Sequence, residues 1–332
     1  MTFFFILLPP LPFSSMPTTT PAHTPLPTVA ASPPPAPTAT AWVLLLVLAG
    51  IWGTSFILMK KGLLVFSALE LGAARVSVAA LLLLPFALRH LGRVNREKLK
   101  WLLLSGVVGT LLPAFLFAYA ETRLASGLAG VLNALTAVFT LVVGAAFFGQ
   151  KLTGLRVLGI ALGLAGTLVL MVLGGSAAAG TAPGGGTGNA WYGLFIVAAT
   201  LGYGVSVNVI KRHLSDIPAL AVTGLLLLFI GGPALAFLLV GTGFLNKLAT
   251  VPGAWPAFGY IALLATMSTA VAMVLFNKLI QTSTALFAAS NTYLIPVVAL
   301  AWGVLDGEEF NGWHLLGMVI ILISVAIIHR AK

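Results

Sequence analysis

Asn133 and Asn291 lie inside apolar stretches, 158 positions apart, and each precedes a similar short sequence. An amide offers two donor hydrogens and an acceptor, so it can read a small polar solute without breaking a bond in it. In hydrocarbon an unpaired amide is costly, so both side chains must face other helices or a water-filled cavity. Two readings stand: the pair lines a solute site, or it makes interhelical hydrogen bonds with a structural role. A second echo joins Trp52-Gly53-Thr54-Ser55 with Lys60 to Tyr203-Gly204-Val205-Ser206 with Lys211. Trp52 and Tyr203 can stack on a solute or gate a cavity. Ser55 and Ser206 either face that cavity or bond back to their own helices. Asn208 is a weaker candidate, within a turn of a segment end. Arg75 alone among the Lys and Arg residues lies well inside an apolar segment. Its guanidinium needs a partner or a hydrated cavity, so it is either half of a structural pair or a clamp for a solute carboxylate. Glu70 stands at a poor helical spacing from it, so a partner would come from another helix.

Bond-making chemistry has little to work with. It needs a nucleophile with a base, paired carboxylates or converging metal ligands. The five histidines, His23, His90, His213, His314 and His329, sit in the N-terminal tail or near segment ends. No Cys is present, which removes disulfides, thiol catalysis and cysteine-ligated metals. Asp306, Glu308 and Glu309 with His314 form the one cluster able to hold a cation, and it reads as a solvated turn. Glu121 and Arg123 read as a cap on the end of the third apolar segment. The sequence predicts no catalytic residue, no metal and no cofactor. A lipid-modifying membrane enzyme and a solute sensor without flux are the alternatives to a solute carrier.

These residues are positioned by an unusually apolar chain. Of 332 residues 59% are apolar and only 7% charged, against about 25% charged in a soluble domain. The exterior must therefore face lipid. A formal charge of +10 is spread over short clusters between apolar runs, which argues against a nucleic-acid patch. Residues 1–40 hold eleven of the nineteen prolines and read as a disordered tail. Ten segments follow, near 42–61, 68–88, 100–120, 124–148, 154–174, 190–210, 217–240, 255–277, 283–305 and 312–329, each near the length of a spanning helix. Gly159, Gly163 and Gly166 predict close packing of the fifth. Twelve Lys and Arg fall on one side and four on the other, which places both termini in the cytoplasm. The Gly-rich stretch 175–189 then faces outward as a linker.

The sequence echo centres on two corners, Gly149-Gln150-Lys151-Leu152-Thr153-Gly154 and Gly307-Glu308-Glu309-Phe310-Asn311-Gly312, at the same offset of 158. Splitting the chain at the linker gives 41–174 and 190–330, five segments each. Five is odd, so the second half enters the membrane from the opposite side. The expectation is an all-α integral membrane protein of ten transmembrane helices arranged as two inverted five-helix repeats.

The pattern resembles the EamA family of the drug/metabolite transporter superfamily over about residues 42–330. The resemblance is carried by Trp52-Gly53-Thr54-Ser55-Phe56 with Lys60, by Arg75, by the Gly307-Glu308 corner and by Tyr293-Leu294-Ile295-Pro296. Gln150 stands where the family often has Glu, and Val138 stands where the equivalent of Pro296 would fall. The first corner should therefore be less anionic, and the fourth helix straighter than the ninth. The resemblance implies ten helices with both termini inside and transport of small metabolites, commonly export, but no particular substrate. The expected function is alternating-access export of amino acids or related compounds across the cell inner (plasma) membrane, by a monomer or homodimer. The four-helix multidrug exporters of the superfamily use a carboxylate in their first helix. Here that site reads Trp52-Gly53-Thr54-Ser55, so their proton coupling does not carry over.

Overall fold

The computed structural model describes residues 39–173, 190–283, 287–288 and 290–330. The linker expected at 175–189, and the Pro-rich tail apart from its last two residues, lie outside these. Among the described residues all regular structure is helical. Eight helices are long and apolar enough to span: α1 Ala39–Leu63, α2 Ala68–His90, α3 Arg96–Glu121, α4 Ser126–Phe147, α5 Gly154–Leu173, α6 Gly193–His213, α7 Ala219–Val240 and α8 Ala254–Thr282. Two shorter apolar helices, α9 Ile295–Leu305 and α10 Gly312–Arg330, complete the ten.

The ends follow local chemistry. Ser67 and Glu70 form a reciprocal capping box that starts α2. Asn95 accepts from the Lys98 N–H and starts α3 four residues before the apolar run. The repeated corners turn alike, because Gly149 and Gly307 adopt φ of 69° and 78°, a region that penalises any Cβ. A short helix, Phe244–Thr250, was not expected; it buries Phe244 against Phe66 and Phe258.

Helix pairing obeys the exchange of halves. The equivalent helices α2 and α7 pack on each other, as do α5 and α10. The pairs α1 with α9 and α4 with α6 map onto one another, as do α3 with α6 and α1 with α8. Gly159, Gly163 and Gly166 face α10, where added Cβ atoms would meet Ile328, Ser324 and Ile321 at 2.5–2.9 Å. Leu46, Leu81, Leu164, Leu201 and Val319 are exposed on the spans, as a lipid-facing surface requires.

Two helices differ from expectation. α4 has a one-residue irregularity at Ala134 without a proline, where the Ala134 N–H reaches only three residues back to Val131 O and Ala137 N–H to Ala134 O. The expected segment 283–305 is divided: among the described residues 287–288 are helical and α9 itself runs from Ile295. A 3₁₀ turn, Ser290–Tyr293, precedes it, and Pro296 in its first turn lacks an N–H to continue the ladder backward. Thus Asn133 and Asn291 both sit at helix discontinuities.

Candidate functional site

A cavity lies between the halves of the bundle, and seven of the eight candidates line it, Trp52, Ser55, Arg75, Asn133, Tyr203, Ser206 and Asn291, while the weaker candidate Asn208 does not. Gly53 and Gly204 set its walls. A Cβ on Gly53 would lie 2.4 Å from Val298 Cβ, and one on Gly204 would lie 2.7 Å from the Phe139 carbonyl carbon. Only glycine lets α1 press against α9, and α6 against α4, closely enough to bring the neighbouring aromatics inward.

Sequence reasoning missed half of the polar lining. α3 and α8 each open into a π-turn, at Val107–Leu111 and Ala265–Val271, and these turns begin 158 residues apart. The wider turns present Thr110, Ser268 and Thr269 to the cavity. Trp52 Nε1 donates to Ser268 O at 3.0 Å, while its ring meets Phe276 edge-on with centroids 5.0 Å apart. Ser55 Oγ bonds back to Ile51 O and reaches Ser268 Oγ at 2.7 Å. Ser206 makes no such back bond; its Oγ approaches Ser105 O on α3 at 3.4 Å. Tyr203 stacks on Phe117. Asn277, also missed, donates to Thr223 Oγ1.

The two amides differ from Asn208, whose Nδ2 donates to Thr140 O and Gly204 O while its Oδ1 accepts from Gln150. Asn208 is thus fully engaged in holding α6. Asn291 Nδ2 is buried with no partner, and Asn133 makes no side-chain hydrogen bond among the described residues. A buried amide in that condition is a standing offer to a solute.

Arg75 is the charged group of the cavity. Its Nε donates to Thr269 Oγ1 at 2.7 Å and Nη2 approaches Ser268 Oγ at 3.4 Å. Among the described residues it forms no ion pair, so the expected structural pair is not found. Glu70 is taken by Lys247 at 2.6 Å and by its own capping box.

At one end of the cavity stands an ion cluster. Lys60 Nζ lies 2.8 Å from Asp306 Oδ2 and 2.9 Å from Glu308 Oε1, and Lys61 pairs with Asp306. Glu308 also accepts from Ser126 N, Ser126 Oγ and Gly127 N, capping α4 at its positive end. The solvated turn expected at 306–309 is therefore corrected for Glu308, which is buried because it closes α1, α4 and α9 together. Burial raises the proton affinity of Asp306, but hydrogen bonds from Lys60 and Lys61 outweigh it and hold the carboxyl below its ordinary range. The opposite end has no carboxylate in the place of Glu308. Gln150 donates to Asn208, and Lys211 Nζ caps the Ile280 and Ser283 carbonyls.

The cap expected from Glu121 is corrected as well. Its carboxyl is fully buried, and among the described residues neither oxygen has a hydrogen-bond partner.

Comparison with known proteins agrees with this architecture. The profile of the EamA-like transporter family matches twice, over residues 40–172 and 190–330. The uncharacterized inner membrane transporter YedA of Escherichia coli (strain K12) is 27% identical over 289 residues, 85% of this chain and 88% of its own. A probable terminal-alkyne amino-acid exporter of Streptantibioticus cattleyicolor is 27% identical over 301 residues, covering 87% and 93%. A probable amino-acid metabolite efflux pump of Salmonella typhimurium is 28% identical over 295 residues, covering 86% and 93%. A solved crystal structure aligns with a TM-score of 0.57 at 20% identity, over 87% of this chain and 96% of that one, a likeness of fold.

Proposed function

The chain belongs to the EamA-like transporter family, and from that premise we propose that it exports amino acids or related carboxylate-bearing metabolites by alternating access through the central cavity. The observation that carries the substrate class is Arg75. A guanidinium facing a cavity with only hydroxyl hydrogen-bond partners keeps free donors, and a carboxylate matches them in both charge and geometry. Asn133 and Asn291 add neutral donors and acceptors from opposite repeats. Trp52, Phe56, Phe117 and Phe276 supply the apolar wall. Two relatives named for amino-acid export support the same class.

In this reading Lys60 and the 306–311 turn face outward, and Lys98, Arg156 and Lys211 face the cytoplasm with both termini. The inner (plasma) membrane is the location that the relatives support. The protein makes and breaks no covalent bond. Solute moves as the α1–α9 and α4–α6 seams open in turn.

The test uses purified protein and proteoliposomes with a panel of L-amino acids and the amines that lack their carboxyl groups. Amino acids should raise the melting temperature and exchange across the vesicle, whereas the amines should do neither. Arg75→Gln should lose both effects. Equal binding of amines would end the carboxylate assignment, and binding without flux would make the protein a sensor.

A further inference from the structure

Thr110, Ala114 and Phe117 line the cavity from one face of α3. Glu121 continues that face, four residues beyond Phe117 and so one helical turn nearer the ion cluster. It is fully buried, and neither carboxyl oxygen finds a hydrogen bond among the described residues. An ionised carboxylate in such a place has lost its water and gained no hydrogen bond in return, which costs several kcal/mol. The other six acidic residues contrast with it. Glu70, Glu308, Asp306 and Asp216 all have cationic partners, and Glu97 and Glu309 are exposed.

The charged groups that act on Glu121 come from three neighbours: Arg75 on α2, Lys60 on α1 and Glu308 in the turn after α9. Tyr203 on α6 and Tyr192 just before it are the titratable groups on the remaining side, from elements that also pack on the end of α3. Lys60 is already held by Asp306 and Glu308, and Arg75 by Thr269 and Ser268. Neither cation therefore donates a hydrogen bond to Glu121 while the cluster is closed.

We propose that Glu121 is a proton-binding site that governs the Lys60 end of the carrier: this face closes around Glu121 only when its carboxyl has taken a proton from the adjoining water. When Lys60 parts from Glu308, water and a freed cation reach Glu121, and the carboxyl returns its proton to that same water. One proton is bound on closing and released on opening, with no other group altered. By linkage, whatever favours the open face favours release of the proton. The proposal deepens the alternating-access reading and rests on it, but its test needs no solute, so a failed transport assay leaves the result intact.

The chain lacks cysteine, so Leu64→Cys and Glu309→Cys can carry a spin-label pair across the elements that the cluster joins; both positions are exposed. In the full-length labelled protein one short distance should dominate at neutral pH. A longer one should grow as the pH rises, by up to about tenfold per pH unit, the limit for a single proton. Glu121→Gln, the neutral mimic of the acid, should hold the short distance at every pH, and Glu121→Asp should retain a pH response. A distribution insensitive to pH in the parent chain, or an unchanged response in Glu121→Gln, would overturn the proposal. If Glu121→Gln does not fold, infrared spectroscopy of the unmutated protein decides. It should show the carbonyl stretch of a protonated carboxylic acid at neutral pH, and absence of that band rejects the site.

Discussion

Lys60 Nζ sits 2.9 Å from Glu308 Oε1, across 248 positions of sequence, and the same carboxylate caps the start of α4. One ion pair thus ties α1, α4 and the α9–α10 turn at a single end of the cavity. Removing one partner of a buried pair strands the other and typically costs about 3–5 kcal/mol. The double variant Lys60→Met/Glu308→Gln should therefore lower the melting temperature less than the sum of the two single variants. A double-mutant cycle on thermal unfolding in detergent measures this, and additive effects would show the pair to be uncoupled.

The cluster also sets an acid limit. Asp306 has its carboxyl held below the ordinary range, with burial opposing and Lys60 and Lys61 prevailing. A carboxyl with a depressed folded value stabilises the protein above its unfolded value of about 3.9, and loses that stabilisation as the pH falls through the folded value. Stability should hold from neutral pH to about 4 and fall below it. Asp306→Asn should start less stable at neutral pH and show a shallower acid decline. Parallel acid profiles for the two proteins would remove Asp306 from the limit.

Asn133→Ala and Asn291→Ala separate recognition from structure. Among the described residues neither amide is bonded to a neighbouring side chain in the cavity, and Asn291 Nδ2 has no hydrogen-bond partner. Each truncation should weaken amino-acid binding by about 1–3 kcal/mol, roughly 5- to 150-fold in affinity, with a smaller loss of stability. Titration of the L-amino acid panel, read by thermal shift, gives both numbers. Unfolding with normal affinity in the surviving protein would make the pair structural.

Much of this site was legible because the repeat wrote it twice. The aromatic-glycine-hydroxyl echo at 52–55 and 203–206 marked both inward-facing helices, and the corner glycines 149 and 307 share a backbone conformation only glycine takes readily. The π-turns were not legible. One extra residue in the hydrogen-bond ladder leaves no compositional trace, so Thr110, Ser268 and Thr269 read as ordinary helix surface. The α4 break likewise lacks a proline to announce it. Glu121 and Glu308 were read as surface groups because sequence places them at helix ends, where carboxylates usually meet water; their burial depends on helices far away in the chain.

Orientation can be read on the same cysteine-free background. Gly92 and Asn246 are exposed at opposite ends of the bundle, and a Cβ at Gly92 meets nothing within 4 Å. Asn246→Cys should react with an impermeant maleimide in intact cells, and Gly92→Cys only after permeabilisation. The reverse pattern would invert the proposed topology, and reaction of both in intact cells would break the ten-span arrangement.

The seams that must open are held by close helix contact, which glycine permits and larger residues forbid. At Gly53 an added Cβ would fall 2.4 Å from Val298 Cβ and 3.1 Å from Ile295 O, and at Gly204 it would strike the Phe139 carbonyl and Thr140 N below 3 Å. The Gly204 neighbours are backbone and cannot rotate away, whereas Val298 can shift with α9. Gly204→Ala should thus be the more damaging change. It should reach or exceed the roughly 1–3 kcal/mol usual for overpacking, with Gly53→Ala below it. Gly50, one turn from Gly53 on the same helix, has nothing within 4 Å of its Cβ position. Gly50→Ala should be neutral or stabilising by about 0.5–1 kcal/mol through helix propensity alone. Thermal unfolding of the three variants ranks them, and a Gly50→Ala loss as large as that of Gly204→Ala would mean that backbone freedom, not the seam, makes these glycines necessary.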